Sequence, residues 1–437
     1  MSHAHLSPRE AERRLYLLTT TRWLPVGLVV GIFILVQTGR GLSIAQAASV
    51  GAVMGIACFL LELPTSGFAD AVGRRPVYLA AAVVNVVAAV AYALAQGFWA
   101  FVVAGALMGA FRALDSGPLE AWFVDTVHAG TPGADVDRQL SRAGTVLGGA
   151  IAVGAVLSGG LIWWDPVRTV LGVTGASALD VAVWVSVALT VVHLIAASLL
   201  MDEPRPTGAA GRTRLAHALT ESRQTPVVIR DGLRLLATNR VLLALVLAEV
   251  FWSIGMITFE SLMPLRLEEM LGSSQEAGAL VGPVSAAGWG LFAAGSWLAG
   301  VASARLGVAR AAMLGRTLNA LGAVVMGLVA GPVALVVAYL LTYSMHGMNG
   351  PPHAALLHRE AQASNRSTVL SINSMMAFLA FAVAAPLVGT LADRASIATA
   401  MVTAGAVSVL GAVFYVPARR RERERVLEPV EGGTLTG

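Results

Sequence analysis

The sequence predicts an all-α membrane protein of twelve transmembrane helices in two pseudo-symmetric six-helix bundles. Three observations lead there. Of 437 residues, 56% are hydrophobic and only 13% charged, with a mean hydropathy of +0.72. A soluble domain runs about 45–50% apolar and about 25% charged, so a soluble enzyme is excluded. Arginine gathers on one side of the apolar segments, and one Gly-Pro pattern recurs at the same ordinal place in each half.

Crossing a bilayer takes roughly 20 apolar residues, and breaks in the apolar pattern leave twelve segments at about 16–38, 45–66, 76–95, 97–120, 142–163, 174–200, 240–264, 277–303, 308–329, 332–355, 367–391 and 396–416. Gly39, Gly41, Gly73, Pro76, Gly97, Pro166, Gly331 and Pro332 punctuate them. No stretch has the pattern of a cleaved signal peptide, so the first apolar run, behind the leader Arg9–Arg14, is expected to be retained. The longest gap holds Pro204, Pro206, Gly208 and Gly211, then the amphipathic stretch Arg230 to Leu236. The expected organisation is a bundle at 1–200, a cytoplasmic linker at 201–239 with a helix lying on the membrane surface, a second bundle at 240–416, and an Arg-rich cytoplasmic tail at 417–437. A single cysteine, Cys58, excludes an internal disulfide and a cysteine metal cluster.

All 30 basic residues are arginine. With the N-terminus inside, 23 fall in inward segments, four (Arg40, Arg168, Arg266, Arg394) in outward loops and three (Arg22, Arg112, Arg316) within spans. This bias puts both termini in the cytoplasm and the chain in the plasma membrane. The run Arg419–Arg425 reads as an anchor to anionic lipid, about 1 kcal/mol per Arg, with no nucleic acid as partner.

Span four ends on Gly117-Pro118 and span ten on Gly350-Pro351; an Arg (Arg142, Arg366) then opens the next span. Duplicated six-helix units predict this repetition.

Between spans two and three runs Ser66-Gly67-Phe68-Ala69-Asp70-Ala71-Val72-Gly73-Arg74-Arg75. It resembles the G-x-L-A-D-R-x-G-R-R loop of the major facilitator superfamily, with Ser66 for the first Gly and Ala71 for the first Arg. The resemblance implies a cytoplasmic gate latch of Asp70, Gly73, Arg74 and Arg75, with Asp125 as partner. The matching link in the second half, Gly300 to Gly307, keeps Arg305 and lacks the Asp and the paired Arg, so the latch is expected mainly in the first half. Arg112-Ala113-Leu114-Asp115-Ser116-Gly117 resembles the family's R-x-x-Q-G motif, whose Arg is tied to proton coupling; Asp115 stands where Gln is usual. The Gly-Pro of the drug/proton antiporters is replaced by Ala155-Val156, although Gly159-Gly160 remain.

In that family spans one, four, seven and ten line the substrate cavity, and helical spacing independently puts polar stripes on these four. Span one offers Arg22, Phe33 and Gln37; span four Met108, Arg112 and Asp115. Span seven offers Glu249, Trp252, Ser253, Met256 and Glu260; span ten Tyr339, Tyr343, His346 and His353. An ionisable group at mid-bilayer costs about 2.5–3.5 kcal/mol unless it faces protein or water. Glu249 has no Arg or His within one turn of its own helix and is expected to exchange the proton, with Arg112–Asp115 as a coupled pair. The aromatic and methionine residues would form a wall for a bulky hydrophobic or cationic substrate.

The expected function is secondary transport by alternating access, with proton-coupled efflux of a drug-like or natural-product compound ahead of import or facilitated passage of a metabolite. A non-transporting receptor is less favoured. A membrane enzyme is disfavoured because no His-Glu-x-x-His, phosphate-cradling Gly loop or Asp-rich metal motif is present. Expected partners are a small-molecule substrate, protons and lipid; no cofactor is called for, and the chain is expected to be a monomer.

Overall fold

The computed structural model describes residues 6–66, 72–173, 177–202, 230, 234–362 and 366–427. Asp70, most of the 201–239 linker and the end of the tail lie outside the described residues.

All regular structure among the described residues is helical. The helices are α1 (Pro8–Val30), α2 (Phe33–Gly39), α3 (Ile44–Ser66), α4 (Arg74–Leu94), α5 (Phe98–Asp115), α6 (Pro118–Gly130), α7 (Asp137–Trp164), the short α8 (Pro166–Thr169) and α9 (Ala178–Leu200). Beyond the linker follow α10 (Arg240–Ile257), α11 (Met263–Leu271), α12 (Ser274–Leu306), α13 (Val308–Leu328), α14 (Pro332–Glu360), α15 (Arg366–Arg394), α16 (Ile397–Val409) and α17 (Val416–Leu427). A π-turn (Thr258–Leu262) joins α10 to α11, and a tighter turn (Leu410–Tyr415) joins α16 to α17. Local chemistry sets the starts: the Ser7, Ser177, Asn239, Ser273 and Ser396 side chains each accept a first-turn backbone N–H, supplying a partner that the helix itself cannot provide.

Among the described residues ten helices, counting those continuous across a turn, are long and apolar enough to cross a membrane; the pair α1–α2, bent by 46°, makes eleven if it is one span. The expected span ten, α14, has 29 residues and is less apolar than the others. Its middle carries Thr342, Tyr343, Ser344, His346 and Asn349, and most of that polar face is buried against neighbouring helices. One expectation is corrected here. Gly117 adopts φ +93° and ends α5, with Pro118 opening α6. At the matching place Gly350 stays helical and α14 runs through Pro351 and Pro352 to Glu360. The repeat in sequence is not a repeat in backbone. The Arg-rich tail is also helical through Leu427: Glu422 accepts the Val308 and Ala309 N–H groups at 3.1 Å and pairs with Arg359 at 2.8 Å.

The helices before residue 200 pack largely on one another (α1 on α7 and α9, α3 on α5, α4 on α5 and α9), and those after 240 do likewise (α12 on α14, α13 on α14 and α16). The two sets meet along α3–α15 and α7–α12. Hydrogen bonds between described residues join the sets at one end. The Asp393 carboxylate accepts from Ile44 N–H and Ala45 N–H at 2.9 Å, and the Gln275 amide donates to the Ile162 carbonyl at 3.1 Å. Arg40 braces the same end, donating to Ala95 O at 2.9 Å and to Asp180 at 2.7 Å. At the other end, pairs such as Arg14–Asp202, Arg74–Asp125 and Arg359–Glu422 close within one set.

Candidate functional site

Glu249 is 5% exposed and is not alone. Its carboxylate binds the Arg316 guanidinium, from α13, and stands 3.1 Å from His353 Nε2, from α14. Arg316 Nε donates to the Tyr415 hydroxyl at 3.0 Å, and His353 Nδ1 lies 2.7 Å from the same oxygen. His353 Nε2 also lies 3.1 Å from Asn373 Oδ1. The isolated carboxyl that the sequence suggested is therefore part of a five-residue polar network drawn from α10, α13, α14, α15 and the turn before α17. Searching one turn of one helix misses partners supplied by others. A buried charge of this kind is tolerable only when paired and hydrogen-bonded.

Beside this network runs an aromatic wall. The Trp252 ring stacks on His346 at 5.5 Å and 9°, with the Arg316 guanidinium 5.1 Å over the indole. His346 meets Phe292 at 5.2 Å and Tyr343 at 5.5 Å. Tyr343 in turn meets Trp289 at 5.8 Å and Tyr339 at 5.2 Å, and its hydroxyl donates to Glu260 Oε1 at 3.0 Å. Glu260 sits on the π-turn, a local irregularity that often marks functional positions. Phe33, Met108 and Met256 join Trp289, Phe292, Tyr339 and Tyr343 in one apolar cluster that spans both sets. Gln37 is buried close to Tyr92, whose hydroxyl donates to Phe33 O at 2.8 Å. Ser253, expected on the cavity wall, is instead fully buried, because it lies on the packed side of α10.

Asp115 pairs with Arg22, at 2.9 Å, and not with the Arg112 expected from spacing alone. Arg22 is held between Phe111 and Trp23, 4.3 Å and 4.7 Å from their ring centres. Arg22, expected among the substrate-cavity residues, is thus taken up by this pair. Arg112 is exposed, half a turn round α5 from the exposed Val103, and reaches towards the Cys58 thiol of α3. His193, buried, bridges Thr21 Oγ1 at 2.9 Å and the Tyr78 hydroxyl at 3.1 Å.

Of the gate-loop residues, Gly73 has φ +109° and precedes α4, a conformation glycine adopts at little cost. Arg74 Nε lies 3.2 Å from Asp125 Oδ2. Arg75 donates to the Met201 and Ser198 carbonyls at 2.5 Å and 2.9 Å, capping the C-terminal end of α9.

Sequence reasoning missed Arg316 as the partner of Glu249, Tyr415 and Asn373 as the groups bonded to Arg316 and His353, and Trp289, Phe292 and Phe259, which meets Tyr343 and His346, as part of the wall. Arg316 carried a signal, being an ionisable residue within an apolar span. Trp289 and Phe292 sit three apart on α12 but on a span outside the four polar stripes.

The profile described as Major Facilitator Superfamily matches residues 15–350 and 284–434. No curated protein sequence matches the chain. Among solved structures, the nucleoside transporter NupG superposes with a TM-score of 0.74 at 11% identity, over 94% of this chain and 99% of its own. A POT family transporter in complex with 5-aminolevulinic acid gives 0.68 at 13%, over 94% and 96%. The peptide transporter POT in complex with sulfate gives 0.71 at 12%, over 94% of each. At such identities the likeness speaks for the fold alone. Together with the family match over most of its length, it shows that the chain belongs to the Major Facilitator Superfamily and is a secondary-active membrane transporter of small molecules, not a catalytic enzyme.

Proposed function

We propose that the chain is a twelve-span carrier in the plasma membrane with both termini cytoplasmic, in which bundles 1–200 and 240–416 rock about a small organic solute held between them. The observation that carries this reading is the one-ended closure. Asp393 on the start of α3 and Gln275 on Ile162 tie the sets at the end away from the termini, while described pairs at the termini end close within one set. Such a contact pattern fits an outward-closed, cytoplasm-facing state of an alternating-access carrier.

The proposed coupling group is the network of Glu249, Arg316 and His353, which offers a carboxylate and an imidazole in contact, so that a proton could redistribute between them. Arg112, exposed beside the Arg22–Asp115 pair, is the proposed counterpart in the first half.

Import or facilitated passage of a metabolite has more support than efflux. The similar structures are described as nucleoside and peptide transporters, one study naming its subjects proton dependent, and the antiporter Gly-Pro is absent at Ala155-Val156.

The test is flux in proteoliposomes with and without an imposed pH gradient, using solutes first selected by thermal stabilisation of the purified protein. The expected result is gradient-driven accumulation that Glu249→Gln abolishes while solute binding persists. Full gradient-driven accumulation by Glu249→Gln would remove Glu249 from the coupling role. Equal exchange with and without a gradient would make the chain a facilitator, and gradient-driven expulsion would restore efflux.

A further inference from the structure

Two acidic groups of α10 and its π-turn differ in one respect. Glu249 has Arg316 and His353. Glu260 has a hydrogen bond from Tyr343 and, among the described residues, no Arg or His pairing with it. Glu260 is nevertheless enclosed by the surrounding helices and exposed at its side chain, which puts its carboxylate on the wall of an interior space. The rings around its partner Tyr343 crowd the same place: Trp289, Phe292, Tyr339 and His346 lie 5.2–6.3 Å from the Tyr343 ring centre. Of these, Trp289, Phe292 and His346 are only half-buried and present ring surface.

A carboxylate in a poorly hydrated place is costly without a cation, and aromatic faces attract cations through the ring quadrupole. The Asp115 and Glu249 carboxylates have found an Arg within the protein; this one is left beside a set of rings. We infer that Glu260, with Tyr343, Trp289 and Phe292, forms a binding site for an organic cation, an ammonium carried on an apolar or aromatic body. The positive head sits at the Glu260 carboxylate and the body lies against the rings. This deepens the transporter reading by naming the solute class of the same central region, and it rests on that reading only for the site's place in a transport path.

The experiment uses the full-length protein purified in detergent and two probes of one shape: benzyltrimethylammonium and its uncharged carbon isostere, neopentylbenzene. Binding is read by thermal stabilisation and by calorimetry. The wild-type protein is expected to bind the cation at least about tenfold more tightly than the isostere. Glu260→Gln should remove that preference, and Glu260→Asp should keep part of it. Trp289→Leu, which leaves the carboxylate in place, should weaken cation binding several-fold. Far-ultraviolet circular dichroism and a single gel-filtration peak certify the fold of each variant, and the Asp variant serves should the Gln variant fail to fold. Equal affinity for both probes, unchanged cation affinity in Glu260→Gln, or no cation binding by the wild type would each overturn the inference. Because the readout is binding without flux, the two readings fail separately. A chain that carries only neutral solutes keeps its transport function and loses this site. A chain that binds the cation through Glu260 and shows no flux keeps the site and loses the transport reading.

Discussion

Arg22 and Asp115, 93 positions apart in the sequence, form a buried ion pair in which both Nε and a terminal nitrogen of the guanidinium approach Asp115 Oδ2, at 3.0 Å and 2.9 Å. The remaining terminal nitrogen, NH1, is buried without a partner, so the pair is only partly satisfied. Removing one member of a buried pair leaves an uncompensated charge, at a cost of about 3–5 kcal/mol, whereas replacing both by apolar groups is often near neutral. Asp115→Leu and Arg22→Met are each expected to lower the melting temperature in detergent markedly, and the double variant to recover most of the loss. Melting curves of the four proteins form the cycle; singles as stable as the wild type would show that the pair contributes no structural support.

In the second set the Tyr415 hydroxyl is shared by Arg316 Nε and His353 Nδ1. Tyr415→Phe removes the oxygen and keeps the ring, leaving two buried polar atoms unpaired. The expected cost is about 1–3 kcal/mol for each group left unsatisfied, and the Glu249 network loses the link that fixes Arg316 and His353 relative to one another. Thermal melting should register the first effect and the pH profile of transport the second. A variant with unchanged stability and an unchanged profile would count against the network as a unit.

How far these sites were legible in the sequence follows from where the information lies. The all-helical membrane fold could be read because hydropathy is a property of single segments, and α14 was read as a span although the buried Thr342 and Tyr343 and the half-buried His346 make it the least apolar of them. The partner of Asp115 could not be read. Spacing within one helix favours Arg112, three residues away, while the observed partner Arg22 comes from α1, a choice made by tertiary packing. Likewise Glu249 looked unpaired along α10, since Arg316 and His353 arrive from α13 and α14. The aromatic wall was half visible: Tyr339 and Tyr343 share the inward face of a polar span, whereas Trp289 and Phe292 sit on α12, where no neighbouring charge drew attention to them.

Asp393 accepts two N–H groups from the first turn of α3, both at 2.9 Å. A carboxylate at a helix N-terminus contributes roughly 0.3–1 kcal/mol when exposed and up to about 2 kcal/mol when partly buried. This interaction joins the two helix sets, so it stabilises only the conformer in which that end is shut. Asp393→Asn is expected to shift the balance towards the open end by several-fold, with little change in overall stability. Ser43 and Ile397 border the same cleft, so cysteines placed there in a Cys58→Ser background report closure. Their disulfide yield should fall when Asp393→Asn is added. An unchanged yield would show that Asp393 does not decide whether this end is shut.

Gly282 and Gly295 lie on the same helix, α12, and test different things. A Cβ on Gly282 would stand 2.1 Å from the Ala155 carbonyl oxygen of α7, across the boundary between the sets; one on Gly295 would stand 1.7 Å from the Ser344 oxygen of α14, within the second set. Both distances are far inside van der Waals contact and both obstacles are backbone, so the helices must separate in either variant. Gly295→Ala should therefore destabilise every conformer alike, lowering the melting temperature without favouring either end. Gly282→Ala strains only the conformer in which α7 and α12 are closed at that level. Its effect should appear as reduced Ser43–Ile397 disulfide formation and slowed flux, with a smaller fall in melting temperature than Gly295→Ala produces. Measuring melting and disulfide yield on both variants separates the two outcomes, and equal effects on both readouts would mean that the α7–α12 contact is a fixed part of the fold that does not open during transport.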